Sequence, residues 1–189
     1  MTKIKTSEQS ITRRNFLTLT AGAVGALGAS KFIWPFIDSM NPSADVLAQS
    51  TTDVDLSPIE EGQSITVIWR GKPIFIRHRT NKEIVNAKST SISKLIDPEK
   101  DSVRVKSGKP QWLVLIGICT HLGCIPTGQT PNSNRGKYNG WYCPCHGSLY
   151  DTSGRVRRGP APTNLVVPPY AFLNENNIRI GIEEGQINV

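Results

Sequence analysis

Cysteine and histidine are scarce in this sequence, since its 189 residues include only four cysteines and three histidines. Charged residues make up 20% and aromatic residues 7%, a balance typical of a globular chain rather than a disordered one. No collagen, heptad or longer repeat is visible, which excludes fibrous and solenoid architectures. Neither a glycine-rich phosphate loop nor a Ser/His/Asp nucleophile signature is present. The distinctive feature is that all four cysteines and two of the histidines fall between Cys119 and His146.

The N-terminal segment has the features of an export signal and a membrane anchor. Residues 1–15 are basic, and residues 16–37 form a weakly apolar run long enough, at about 1.5 Å per residue, to cross a hydrocarbon core of about 30 Å. Thr12-Arg13-Arg14-Asn15-Phe16-Leu17 resembles the twin-arginine export signal. After the run the first charges are acidic and no basic residue precedes Arg70, so the positive-inside rule places the N-terminus in the cytoplasm. We predict a cytoplasmic twin-arginine n-region over residues 1–15, a retained transmembrane anchor over 16–37 and a flexible linker over 38–53.

The net charge of +7 does not indicate nucleic-acid binding. Residues 1–37 carry five basic side chains and one acidic side chain, whereas the rest of the chain carries 17 basic and 14 acidic ones. Most of the excess is therefore an export and topology signal rather than a basic face. In the head, Arg155, Arg157 and Arg158 alternate with Val156, which predicts a solvated strand face. His78 is predicted to be an exposed strand residue rather than a ligand.

Residues 54–189 are predicted to form a small β domain, because short strands alternate with Gly, Pro and Asn turns. The expected elements are a hairpin of Ser64–Trp69 with Pro73–Arg79, a helix at Lys82–Ala87, a buried strand at Trp112–Ile118, and a closing pair of Asn164–Leu173 with Asn177–Glu183. The pattern favours an all-β sandwich or barrel.

Two short boxes carry the candidate chemistry. The first reads Cys119-Thr120-His121-Leu122-Gly123-Cys124, and the second reads Cys143-Pro144-Cys145-His146-Gly147-Ser148-Leu149-Tyr150-Asp151. They suit two loops that offer ligands to one site. Three interpretations compete: a tetrahedral zinc site, two structural disulfides with three possible connectivities, and a [2Fe–2S] cluster in which two histidines replace two cysteines on one iron. The third gives a role to both histidines and leaves two cysteines free to form a disulfide.

These boxes resemble those of the Rieske iron–sulfur proteins, specifically the membrane-anchored subunit of the cytochrome bc1 complex. The resemblance extends over nearly the whole chain and includes the Trp69–Pro73 hairpin and the Gly159–Pro162 segment. It implies a mainly β fold, an antiparallel β sandwich with a small cluster-binding subdomain at about residues 117–163, beside one N-terminal transmembrane helix. The implied site residues are Cys119 and Cys143 on one iron, His121 and His146 on the other, and a disulfide between Cys124 and Cys145.

The ligand set that this resemblance implies suits a high redox potential. Two imidazoles in place of two thiolates leave the oxidised core neutral, so an electron is added more readily. The potential then rises from about −400 mV to between about −150 and +300 mV. Ser148 and Tyr150 lie where the family has hydroxyl donors to the cluster sulfurs, and such hydrogen bonds raise the potential further.

The resemblance implies electron transfer from membrane ubiquinol to cytochrome c1, coupled to quinol deprotonation at His146 or His121. Cytochrome b and cytochrome c1 are the implied partners, with the head on the periplasmic side of a bacterial inner membrane. Leu122, Gly123 and the Gly159–Pro162 segment are expected to shape the exposed tip. The alternatives are a subunit of another periplasmic oxidoreductase such as arsenite oxidase, the electron carrier of a Rieske oxygenase, and a zinc-binding exported module.

Overall fold

The computed structural model describes residues 12–43, 50–183 and 185, which fall into two compact units, an N-terminal segment and a β domain. Most of the predicted n-region, residues 44–49 of the predicted linker, and residues 184 and 186–189 lie outside the described residues.

The described part of the N-terminal unit contains one helix, α1, at Arg13–Asp38. The helix begins after Thr12, whose side chain accepts a hydrogen bond from the Asn15 amide. Its 26 residues extend about 39 Å at about 1.5 Å per residue, which is enough to cross a bilayer core of about 30 Å. None of its side chains is buried against protein. The helix includes the whole predicted anchor and is a candidate membrane span.

The described part of the head contains nine strands in three antiparallel sheets, as the predicted mainly β fold requires. The strands are β1 (Thr52–Asp55), β2 (Ser64–Trp69), β3 (Lys72–His78), β4 (Trp112–Ile116), β5 (Asn139–Tyr142), β6 (Leu149–Asp151), β7 (Val156–Arg158), β8 (Tyr170–Phe172) and β9 (Asn177–Ile180). The sheets have the orders β1-β9-β8, β2-β3-β4 and β5-β6-β7.

The elements expected from the sequence are present with end shifts of up to three residues, except that the first strand of the closing pair begins at Tyr170 rather than at Asn164. The predicted hairpin is the β2–β3 pair, and the predicted closing pair is β8–β9. The predicted short helix is α2 at Asn81–Ser89. A capping box formed by Thr80 and Glu83 begins this helix. β1 begins at Thr52 and pairs with β9, so the last two residues of the predicted linker belong to the head.

Strands β3 and β4 of the central sheet β2-β3-β4 are buried on both faces. On β3, Ile74 and Ile76 pack into one hydrophobic core with residues of the β1-β9-β8 sheet, whereas Phe75 packs into a second core that includes Trp141 and Tyr150. Strand β4 contributes to both cores in the same alternating way. This explains why β4 is apolar at every position.

Arg155 corrects the prediction of a solvated arginine face. Its side chain is only 1% exposed and forms an ion pair with Asp151 at 2.8 Å. The same guanidinium donates to the carbonyl oxygens of Ala87 and Glu99. Three polar partners replace water, so the arginine is buried with its charge compensated. Arg158 is exposed as predicted, and Arg157 is half-buried over the Tyr138 ring.

His78 is likewise less exposed than predicted. Its ring stacks on Trp112 with 4.1 Å between the centroids, and its Nδ1 lies 2.8 Å from the Ile59 carbonyl oxygen. It is therefore a half-buried packing residue of β3, and neither contact involves the boxes.

Candidate metal centre

The two boxes fold into loops with the same backbone closure. In the first loop, which follows β4, the Cys119 amide donates to the Cys124 carbonyl and the Gly123 amide donates to the Cys119 carbonyl. In the second loop, between β5 and β6, Cys143 pairs with Ser148 and Gly147 pairs with Cys143 at the same offsets.

Glycine is required at the same place in each loop for a conformational reason. Gly123 has φ +83° and Gly147 has φ +78°, and a Cβ at either position would meet no other atom within 4 Å. Glycine is therefore needed because the backbone adopts a left-handed conformation there, and not because a side chain would lack space.

The loops direct thiols inward and imidazoles outward. Cys119 and Cys143 are free thiols, each 2% exposed, in the second hydrophobic core. His121 is half-buried and His146 is exposed, with their rings edge to face and their centroids 4.6 Å apart. One site thus offers two buried sulfurs and two adjacent imidazoles near the surface.

Cys124 and Cys145 form a disulfide that joins the two loops, which confirms the implied pairing. Both of its sulfurs lie within 4.8 Å of the Cys143 sulfur. These three sulfurs do not form a ligand set, because a disulfide sulfur is not a thiolate. The donors available at this site are Cys119, His121, Cys143 and His146.

Tyr150 lies directly against one of the thiols. Its hydroxyl is 3.2 Å from Cys119 Sγ and 3.4 Å from Thr120 Oγ1. Burial and the adjacent Cys119 raise the pKa of the phenol, so the hydroxyl stays protonated and can donate to sulfur.

The two thiols differ in acidity. Burial tends to raise the pKa of Cys119, but hydrogen bonds from the Tyr150 hydroxyl and the His121 amide outweigh it, and the pKa is lowered. Burial raises the pKa of the Cys143 thiol. A bound metal would keep both as thiolates.

The Gly159–Pro162 segment packs against the second loop. The Ala161 amide donates to Ser148 Oγ at 3.2 Å, so the hydroxyl hydrogen of Ser148 is left free to point elsewhere. Gly159 has φ +107°, and a Cβ there would lie 2.5 Å from Ser148 Cα. The segment therefore positions Ser148 as well as covering the loop.

The outer end of the site is apolar. Leu122 is 71% exposed and Ile125 is 59% exposed, beside or within the first loop. Exposed aliphatic side chains next to two imidazoles are typical of a contact surface rather than of a solvated loop.

The buried ion pairs near α2 are a feature of the head that the sequence did not predict. Arg77 pairs with Glu83 at 2.6 Å, and Arg79 pairs with Asp101 at 2.6 Å. The one sequence signal available was the Thr80-x-x-Glu83 capping box, whose Glu83 also binds Arg77.

Two Cys/His loops joined by a disulfide, on an antiparallel β scaffold, define the class of Rieske iron–sulfur proteins. The family model described as Rieske [2Fe-2S] domain matches residues 54–171. A second model, described as Ubiquitinol-cytochrome C reductase Fe-S subunit TAT signal, matches residues 4–43. The paired thiols and imidazoles fit the cofactor of this class, a Rieske [2Fe–2S] cluster.

Curated relatives narrow the class to one family. The ubiquinol-cytochrome c reductase iron-sulfur subunit of Rickettsia prowazekii (strain Madrid E) is 62% identical over 90% of this chain and 93% of its own length. The subunit of the same name from Rhodospirillum rubrum is 57% identical over 89% and 91%. The chain belongs to the ubiquinol–cytochrome c reductase iron–sulfur subunits, which are components of an oxidoreductase.

A solved structure agrees with this assignment. A chain of the structure described as Hyperthermophilic respiratory Complex III has a TM-score of 0.51 and 28% identity, covering 85% of this chain and 98% of its own length. The family assignment supports the [2Fe–2S] interpretation over the zinc site, and the two free thiols contradict a site made only of disulfides.

Proposed function

We propose that this protein carries electrons from membrane ubiquinol to cytochrome c1 as the Rieske subunit of a bc1 complex. Cys119 and Cys143 would hold one iron of the cluster, and His121 and His146 would hold the other. The observation that carries the proposal is the division of the site into buried thiols and imidazoles near the surface. When bound, the cluster supplies a one-electron carrier of high potential.

The imidazoles provide the proton chemistry. With one ring nitrogen on iron, each histidine keeps a second nitrogen that can accept a hydrogen bond and then a proton. His146 is exposed and His121 is half-buried, so a quinol hydroxyl can reach either ring without a change of fold. One of them would thus accept the quinol proton.

The surroundings of the imidazoles favour an apolar partner. Leu122 and Ile125 would bury their side chains against cytochrome b and exclude water from the quinol contact. The Tyr150 hydroxyl lies against Cys119 Sγ, and the Ser148 hydroxyl keeps its hydrogen free, so both would donate toward the sulfurs and stabilise the reduced state.

The head lies on the periplasmic side of a bacterial inner membrane in this proposal. Basic residues precede α1, and Asp38 is the first charge after the apolar run. The positive-inside rule then retains the N-terminus in the cytoplasm. Protease added to intact spheroplasts should digest the head and leave the N-terminus protected.

Electron paramagnetic resonance of ascorbate-reduced membranes tests the redox centre. A Rieske-type spectrum is expected from the parent protein, and it should be lost in His121→Gln and His146→Gln. His78→Gln is the matched control, because His78 is the remaining histidine and stacks on Trp112 away from the loops.

Purification tests the assignment to a bc1 complex. The protein should co-purify with b-type and c-type haems and support quinol-dependent reduction of a c-type cytochrome. A Rieske spectrum in a preparation without these haems would contradict the bc1 assignment and favour another periplasmic oxidoreductase, whereas iron-replete protein without the spectrum would contradict the cluster itself.

A further inference from the structure

The segment from α2 to Arg104 exposes its lysines and holds its acidic side chains in internal contacts: Glu83 and Asp101 are buried, Glu99 pairs with Arg104, and Asp97 accepts from the Asn164 amide. Glu83 and Asp101 are buried in ion pairs with arginines. Lys88, Lys94 and Lys100 are exposed, and none of them forms a salt bridge with a described residue. Basic and acidic residues are therefore nearly balanced in the sequence of the head, but its surface is basic in this segment.

These lysines surround two neighbouring cavities that share Thr90. The first, of about 400 Å³, is lined by Lys94 and Arg157 together with the hydroxyls of Ser89, Thr90 and Ser91. The second, of about 360 Å³, is lined by Lys88 and Lys100. We call Lys88, Lys94, Lys100 and Arg157 the lysine face.

The carboxylates at these cavities are already compensated. Asp151 lines the first cavity and pairs with Arg155 and, at 3.7 Å, with Arg157. Asp101 lines the second cavity and pairs with Arg79. The three lysines therefore keep a net positive charge available to an external anion.

Exposed aliphatic side chains occur in the same segment. Ile92 lines the second cavity, and Ile96 and Val103 are 50% and 66% exposed. Residues 81–104 contain no aromatic residue. The cavities are lined by one aromatic residue, Tyr138, which Arg157 covers, and the exposed charge around them is mostly lysine. Protein interfaces are enriched in aromatic residues and depleted in lysine, so this composition fits a protein partner poorly. Lysines with protruding aliphatic side chains are the composition of a surface that contacts lipid headgroups.

We propose that the lysine face docks on the phosphate headgroups of anionic phospholipids in the membrane that anchors the chain. This inference rests on the anchoring role of α1. The 13 residues between the end of α1 and the start of β1 can extend at most about 45 Å, so the head stays within reach of the bilayer. The tether raises the effective concentration of headgroups at the lysine face, and weak electrostatic contacts then suffice.

Lysine footprinting tests the proposal on the full chain in lipid nanodiscs. One set of discs contains only phosphatidylcholine, and the other also contains phosphatidylglycerol. An amine-reactive acetylating reagent and mass spectrometry measure the reactivity of each lysine. Lys88, Lys94 and Lys100 should be protected in the anionic discs alone, and added salt should remove the protection. The exposed Lys72, on the β2–β3 hairpin and outside both cavities, is the internal control and should react equally in both sets.

A variant tests whether the lysines act together. Each lysine near an anionic surface contributes roughly a fivefold factor to binding, so Lys94→Gln should lower the protection of Lys88 and Lys100 by about fivefold. Lys72→Gln is the matched control and should leave that protection unchanged.

The possible outcomes separate docking from the anchor and from the redox function. Co-elution of the chain with the discs tests the anchor first, and its absence would overturn both anchor and docking. Co-elution with equal lysine reactivity in the two disc types would overturn docking alone. Protection by added polyglutamate but not by anionic lipid would also overturn it and assign the face to an acidic protein. The paramagnetic resonance spectrum of the same discs reports the redox centre independently.

Discussion

The hydroxyl of Tyr150 should raise the redox potential of the site, and Tyr150→Phe removes it without removing the ring. The ring is fully buried in the second core, so phenylalanine keeps the packing. The lost interaction is the 3.2 Å contact between the hydroxyl and Cys119 Sγ. Because reduction makes the sulfur more negative, the hydrogen bond is stronger in the reduced state.

The size of the shift follows from that difference in strength. A hydrogen bond to a charged group contributes about 1.5–3 kcal/mol, and we take about 1 kcal/mol as the part that differs between the two redox states. A factor of ten corresponds to about 59 mV for one electron, so about 1 kcal/mol corresponds to about 40 mV. Tyr150→Phe should therefore lower the midpoint potential by about 40 mV.

A redox titration followed by paramagnetic resonance measures this shift on membranes. The amplitude of the signal shows whether the cluster is retained. Tyr138→Phe is the matched control, because Tyr138 packs under Arg157 rather than on either loop. The donor role of Tyr150 is refuted by a fully retained signal with an unchanged potential, or by an equal shift in the control.

Three further predictions concern stability. Gly159→Ala should lower the free energy of unfolding, measured by denaturant titration, by about 2–3 kcal/mol, because the added Cβ would meet backbone at 2.5 Å. Gly108→Ala is the control: Gly108 also has a positive φ but lies in open space, so its replacement should lower the free energy of unfolding by only about 1 kcal/mol. Replacing Cys124 and Cys145 together by alanine should lower the free energy of unfolding by about 3 kcal/mol, since the disulfide closes a loop with a sequence separation of 21. Reducing the disulfide of the parent protein should lower it by the same amount. Burial tends to raise the pKa of Asp101, but hydrogen bonds from the Arg79 guanidinium and the Ser153 hydroxyl outweigh it, and the pKa is lowered. The carboxylate therefore contributes to the free energy of unfolding above about pH 4, and this contribution is lost as the pH falls further. Asp101→Asn should make the free energy of unfolding less dependent on pH in that acid range.

The chemistry of the site could be predicted from the sequence because its ligand types are rare and closely spaced. Cys119 with His121 and Cys143 with His146 need no tertiary information to be recognised as a candidate metal set. The exposure of Arg155 could not be predicted in this way, because β alternation describes a strand's two faces and not what covers them. Its partners Ala87 and Glu99 lie 68 and 56 residues away along the chain. The lysine face could not be predicted from the sequence for the same reason, because only the fold shows which charged side chains are buried.

The division of the site into inner sulfurs and outer imidazoles reflects where the two loops leave their strands. Side chains alternate along a strand, and Leu113 and Leu115 of β4 face the second core. Cys119 and Cys143 lie just beyond the ends of β4 and β5, and both belong to the same core as Leu115 and Trp141.

The histidines come two and three residues after those cysteines, beyond the strand ends and just before the glycine with positive φ at which each loop turns back. They therefore emerge at the surface while the sulfurs stay in the core. The second core and the proposed cluster thus share residues, and a change that loosens the packing around Trp141 should weaken cluster retention as well as stability.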